Sequence, residues 1–125
     1  MAEIRDIVSE IVGCKFNFVL VNFYCNGYDK IGRHRDDEEG LDLSKPIASV
    51  SLGETRTMVM QHASVVQNHP FSRIETKYNI VLEHGSLLVM RYPTNVHWYH
   101  EIPIEKSRKL PRLNLTFRVL KEEKK

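Results

Sequence analysis

No stretch limits the folds open to this 125-residue chain more than RLNLTFRVL, residues 112 to 120. Leu113, Leu115, Phe117 and Val119 fall on one side of a period-2 pattern, and Arg112, Asn114, Thr116 and Arg118 on the other. That is a strand with one apolar face, and its polar face admits two readings. Turned to water, it belongs to an ordinary half-buried antiparallel strand with solvated arginines. Turned into a barrel, it places two guanidinium groups where an unpaired charge is very costly, and so calls for an anion there.

The rest of the chain supplies partners for such a strand. Ile4, Ile7, Val8 and Ile11 recur at helical spacing ahead of Gly13, which predicts a short amphipathic helix ending there. FNFVLVNFY follows, rich in aromatic and β-branched residues, with Phe16, Phe18, Leu20, Asn22 and Tyr24 on one face of a strand. After the polar segment CNGYDKIGRHRDDEEGLDLSK, further strands are expected at PIASVSLG, TRTMVMQH, RIETKYNIVLEH, SLLVMRY, VHWYHEIPI and RLNLTFRVL. Short strands punctuated by Gly, Asn, Asp and Pro indicate a mainly β sandwich or jelly roll behind a short N-terminal helix. A jelly roll has an open mouth in which inward side chains can hold a ligand.

Length and the lack of repeats or linkers predict one domain over 1–125. No apolar run approaches bilayer length. MAEIRDIVSEIVG carries three acidic residues and no long apolar stretch, unlike a signal peptide, so an intracellular protein is expected. Cys14 and Cys25 lack CxxC spacing and are expected as buried apolar fillers. A net charge of +2 is too small to argue for nucleic acid by itself, and the KEEKK tail reads as a solvated end.

Chemistry begins at GRHRDDEE. His34 and Asp36 are two apart, so in extended backbone both emerge on the same face and can reach one cation. HWYH offers a third ligand in His97 or His100. Two histidines, a carboxylate and open positions suit non-haem Fe(II) and oxygen activation, although zinc accepts the same residues. The arginine strand separates the two metals. An Fe(II) enzyme that reduces dioxygen needs two further electrons, commonly from 2-oxoglutarate, whose distal carboxylate needs a cationic partner. Arg112, twelve residues past His100, is placed to supply it as a bidentate fork inside a barrel.

In NFYCNGYDKIGRHRDDE, PIASVSLG, HGSLLVM, NVHWYHEIP and PRLNLTFR the chain resembles the AlkB family of Fe(II)/2-oxoglutarate dioxygenases, particularly its eukaryotic-type DNA repair branch. The resemblance covers about residues 16 to 120. It implies a double-stranded β-helix, Fe(II) as cofactor, and 2-oxoglutarate and O2 as co-substrates. The implied reaction is oxidative demethylation of bases such as 1-methyladenine and 3-methylcytosine, giving formaldehyde, succinate and carbon dioxide.

Carried onto this chain, the resemblance implies iron ligands at His34, Asp36 and His100, and leaves His97 as a neighbour. Asn22 and Tyr24 match the family's NxY beside the co-substrate. Arg112 matches the arginine for the distal carboxylate and Arg118 the second co-substrate arginine, with Asn114 and Thr116 lining the same face. Asp37 and Glu38 follow the iron aspartate, where this branch contacts the damaged base; an anionic wall there favours cationic lesions over neutral bases. Arg56 and Arg73 are expected as surface ion-pair partners, and Trp98 and Tyr99 as core.

Repair members carry a substantial segment before the NxY strand, and only about twenty residues precede Asn22. Most of the base-gripping apparatus is therefore expected to be missing. Flipping a base costs a few kcal/mol, least when it is already unpaired, so alkylated single-stranded DNA is the expected partner of a monomer. RNA, a methylated protein side chain and a small molecule are the alternative substrates. A non-catalytic binding module is the alternative from another class. A nuclear location is expected from the eukaryotic branch.

Overall fold

The computed structural model describes residues 2–37, 39–63 and 77–121. Helix α1 (Ala2–Val12) stops at Gly13, whose positive φ of 77° lets its N–H donate back to the Ser9 carbonyl at 2.8 Å. Strands β1 (Phe18–Tyr24), β2 (Ile31–His34), β3 (Ile47–Gly53), β4 (Arg56–His62), β5 (Tyr78–Leu82) and β6 (Leu87–Met90) follow. A single helical turn α2 (Thr94–His97) then leads into β7 (Trp98–Ile102) and β8 (Arg112–Arg118).

The strands form two four-stranded antiparallel sheets, ordered β1-β8-β3-β6 and β2-β7-β4-β5. This is the jelly roll expected from the sequence. Two apolar clusters hold it. Tyr24, Ile47, Met58, Met60, Leu82, Met90 and Ile102 fill the space between the sheets. Val8, Val12, Phe16, Ala48, Leu115 and Phe117 pack the outer face of the first sheet under α1. Strand β8 is thus buried on both sides, with Leu115 and Phe117 outward under the helix and Arg112, Thr116 and Arg118 inward. Among the described residues, no helix is long and apolar enough to cross a membrane.

Several expectations need correction. The covered stripe of α1 is Ile4, Val8 and Val12, while Ile7 and Ile11 are exposed. A short helix lying on a sheet buries one i, i+4, i+8 row and leaves the adjacent row in water. Strand β2 was expected as part of a polar loop, since only Ile31 in IGRH is apolar. The segment VHWYHEIPI does not begin as a strand, because Val96 and His97 donate their N–H groups to the Pro93 carbonyl and close a helical turn. Cys25 is exposed rather than buried. The stretch 64–76, with Arg73 and most of the loop ASVVQNHPFS, lies outside the described residues, as do Glu38 and the end of the KEEKK tail.

Arg56 is buried, not a surface residue, at 1% exposure. Its Nη2 donates to the carbonyls of Asp29 at 2.8 Å and Pro103 at 2.7 Å, and its Nε faces Glu105 at 3.5 Å. This clamp closes the barrel end opposite His34 by tying the β1–β2 loop to the β7–β8 connection. Gly27 lies in the same seam, exchanging backbone hydrogen bonds with Arg108 and Glu105. A Cβ there would run into both of their carbonyl oxygens. Gly27→Ala is therefore expected to cost about 2 kcal/mol or more, measurable as a lower urea midpoint.

Candidate metal centre and its cavity

A cavity of about 230 Å³ opens between the two sheets. One wall comes from the pairing of β1 with β8, which sets Asn22 opposite Asn114 and Tyr24 opposite Arg112. The other comes from β2 paired with β7, which sets His34 opposite His100. Asn22, Tyr24, His34, Asp36, His100, Arg112, Asn114, Thr116 and Arg118, all singled out in the sequence, line this one space. Asp37 does not. Its side chain is exposed and lies 3.6 Å from Arg35 Nε. His97 is also exposed, at the end of α2, where its ring stacks on His62 at 6.1 Å between centroids. Trp98 packs half-buried against the inner core, and Tyr99 lies under the Arg35 guanidinium.

His34, Asp36 and His100 offer ligand atoms that lie within 4.8 Å of one another. The His34 ring donates from Nδ1 to the Gly32 carbonyl at 2.8 Å, which aims Nε2 at Asp36 Oδ1, 3.6 Å away. His100 Nε2 stands 3.9 Å from Asp36 Oδ2. Arg118 Nη2 donates to Asp36 Oδ1 at 2.9 Å, with both groups buried.

These contacts set the charges. Burial opposes ionisation of Asp36, but the His34 hydrogen bond and the Arg118 charge outweigh it and hold the carboxyl below its usual range. The hydrogen bond to Asp36 raises His34. Burial pushes His100 from 6.5 down to about 4, so at neutral pH its imidazole is uncharged and able to ligate. The sign for stability follows directly. The fold prefers neutral His100, so its contribution is present above pH 6.5 and lost as pH falls towards 4. His34 has the opposite sign, and its contribution is lost only as pH rises above its ordinary value. Metal-free protein is expected to lose on the order of 3 kcal/mol through His100 across that acid window. Denaturation midpoints at a series of pH values test this, because His100→Leu should flatten the same interval.

The far end of the cavity carries a buried cation. Arg112 is 1% exposed, and its Nη2 donates to Ser51 Oγ at 2.8 Å. Its Nε and Nη1, and the Tyr24 hydroxyl, are buried; Arg112 and Tyr24 attract each other, but among the described residues none of these three atoms meets a partner in full hydrogen-bond geometry. The Tyr24 ring centroid lies 5.1 Å from the Arg112 guanidinium carbon and 5.5 Å from that of Arg56. Midway, Asn114 Oδ1 accepts from Ser49 Oγ at 2.7 Å and its Nδ2 donates to Thr116 Oγ1 at 3.1 Å. Sequence reasoning missed Ser49, Ser51 and Arg56. The alternation of PIASVSLG puts both serines on one face with Ile47, a signal that was there to use.

A family model described as the 2OG-Fe(II) oxygenase superfamily matches residues 1–118. The chain belongs to that superfamily. Its two defining groups, Fe(II) and 2-oxoglutarate, fit the histidine–carboxylate cluster and the buried, part-satisfied Arg112 described above. DNA oxidative demethylase ALKBH2 of Bos taurus is 51% identical over 118 residues, which is 94% of this chain and 42% of that protein. The Homo sapiens protein of the same name is 49% identical over 94% of this chain and 45% of its own length. This 2OG-Fe(II) oxygenase therefore spans less than half the length of these relatives, and the AlkB-type resemblance read from its motifs is borne out. The solved structure of OsALKBH1 shares the fold, with a TM-score of 0.74 over 95% of this chain and 64% of its own, at 22% identity.

Proposed function

We propose that this chain has the activity of an Fe(II)/2-oxoglutarate-dependent demethylase that removes methyl groups from alkylated bases of single-stranded DNA. The observation that supports the chemistry is the pairing, in one cavity, of a His–Asp–His cluster able to hold a metal with a buried arginine whose Nε and Nη1 are not fully satisfied by the described residues. The substrate class rests on the relatives named as DNA oxidative demethylases. In this reading His34, Asp36 and His100 hold the iron, and Arg112 with Tyr24 anchors the distal carboxylate of 2-oxoglutarate. When bound, iron would let O2 oxidise 2-oxoglutarate to succinate and CO2 and hydroxylate the methyl group, whose carbon would leave as formaldehyde.

The chain's own residues then do three things. Arg118 keeps Asp36 anionic and fixed. The Ser49–Asn114–Thr116 chain holds the cavity's middle in one arrangement. Asp37, exposed beside the cluster, supplies negative charge that favours cationic 1-methyladenine or 3-methylcytosine over neutral bases.

The test is aerobic turnover of the iron-loaded chain with 2-oxoglutarate and methylated single-stranded oligonucleotides, following succinate and repaired base separately. Both products are expected, with duplex repaired more slowly than single strand. Asp37→Asn should slow repair of cationic lesions while leaving substrate-independent succinate formation near the parent level. Succinate without repair on any methylated strand would defeat the substrate assignment.

A further inference from the structure

A second cavity, of about 430 Å³, lies on the outside of the first sheet and is lined by Gly13, Cys14, Lys15, Ser44, Lys45 and Arg91 among others. Its position follows from the pleat. Ile47, Met90 and Arg118 face the cavity that holds the His34–Asp36–His100 cluster, and their chain neighbours Pro46, Arg91 and Val119 face this second one. The ends of β3, β6 and β8 are therefore a shared wall, one strand thick, between the two spaces. The register confirms the end concerned, since Ile47 pairs with Met90, and Ala48 with Phe117 next to the Arg118 that grips Asp36. The pocket sits on the side of the His34–Asp36–His100 cluster, away from the Arg56 clamp.

Three cations converge on it. Lys15, Lys45 and Arg91 are all exposed, and among the described residues none forms an ion pair with a carboxylate. Arg91 Nη2 approaches the Val12 carbonyl at 3.5 Å, a marginal contact that leaves most of its guanidinium for a ligand. The carboxylate that bears on the group is Asp42, whose field reaches Lys45 and Lys121, and it is already held by the Ser44 hydroxyl at 2.6 Å and the Ser44 N–H at 3.1 Å. Three like charges around one cavity repel each other, and a bound anion reverses that cost.

We propose that this pocket grips backbone phosphates of the strand whose methylated base enters the neighbouring cavity, a reading that rests on the nucleic-acid substrate proposed above. Phosphate contacts position a strand without reading its sequence. A chain with a net charge of only +2 needs its cations gathered close to that cavity to do so, and here they stand across one sheet from it.

The test is binding of a 3-methylcytosine oligodeoxynucleotide to the full chain with Fe(II) and 2-oxoglutarate under anaerobic conditions, from about 50 to 200 mM salt. Each phosphate contact on a single strand adds about 0.7 to the salt slope, so Lys15→Gln, Lys45→Gln and Arg91→Gln combined should reduce it by roughly 2. Affinity should fall equally for methylated and unmethylated strands, and succinate formation without substrate should stay at the parent level. The charge-retaining set Lys15→Arg, Lys45→Arg and Arg91→Lys should keep the slope. A parent that repairs its substrate while the neutral triple variant keeps the parent slope would overturn the pocket and leave the demethylase reading standing. A parent that neither binds nor repairs methylated strands would overturn both. Inorganic phosphate binding the pocket more tightly than the oligonucleotide does would make it a free-anion site and overturn the strand assignment.

Discussion

Removal of His34, Asp36 or His100 is expected to abolish iron retention and turnover together, while His97→Ala keeps both. The distinction is sharp because the two candidate histidines are only three residues apart in HWYH. His100 stands on β7 inside the barrel, opposite His34 and 3.9 Å from Asp36, with a side chain 12% exposed. His97 closes the α2 turn on the surface against His62. Alanine serves for the two histidines. For the aspartate, Asp36→Asn is the safer variant, because truncating the carboxylate strips the buried Arg118 of its 2.9 Å ion pair and risks a cost of about 3–5 kcal/mol to the fold. Iron content after anaerobic loading and desalting, with succinate formation measured on the same samples, decides the matter. An iron-free His97→Ala protein beside an iron-replete His100→Ala protein would reverse the ligand assignment.

How far the sequence carries one towards this site depends on which residues the pleat governs. Alternation in RLNLTFRVL sets Arg112, Asn114, Thr116 and Arg118 in one row but not the direction it faces, because a strand buried on both faces still has period 2. The polar face turned out to look inward because α1 covers the apolar one. The same alternation aligned Asn22 with Tyr24, and His34 with Asp36. What alternation cannot show is tertiary closure. Arg56 sits in a strand that reads as half-buried, and nothing local marks that its guanidinium meets three carbonyls from segments up to 47 positions away. Strand β2 escaped for a related reason. Its hydrogen bonds to β7 make it a strand, whereas its own four residues read as loop. The turn at Pro93 is likewise a matter of backbone bonding, in a stretch whose aromatic residues favour a strand.

Arg112→Lys is expected to raise the dissociation constant for 2-oxoglutarate by roughly 10- to 100-fold while leaving iron affinity near the parent value. Lysine keeps the positive charge, so a purely Coulombic role would survive the change. What it lacks is the planar fork that can donate to Ser51 and to both oxygens of a carboxylate at once. Each charge-assisted hydrogen bond lost is worth about 1.5–3 kcal/mol, which sets the expected range. Burial also draws the Arg112 pKa down, with the neighbouring Arg56 adding to the effect. An ammonium in the same place is easier to neutralise than a guanidinium, and lysine is therefore the weaker partner on that count too. Iron is spared because the two ends of β8 are separated by six residues, about 20 Å of extended backbone, and Arg118 rather than Arg112 touches Asp36. Titrating 2-oxoglutarate into iron-loaded protein without oxygen, and iron into the apoprotein, separates the two affinities. If the variant binds 2-oxoglutarate as the parent does, Arg112 does not anchor it.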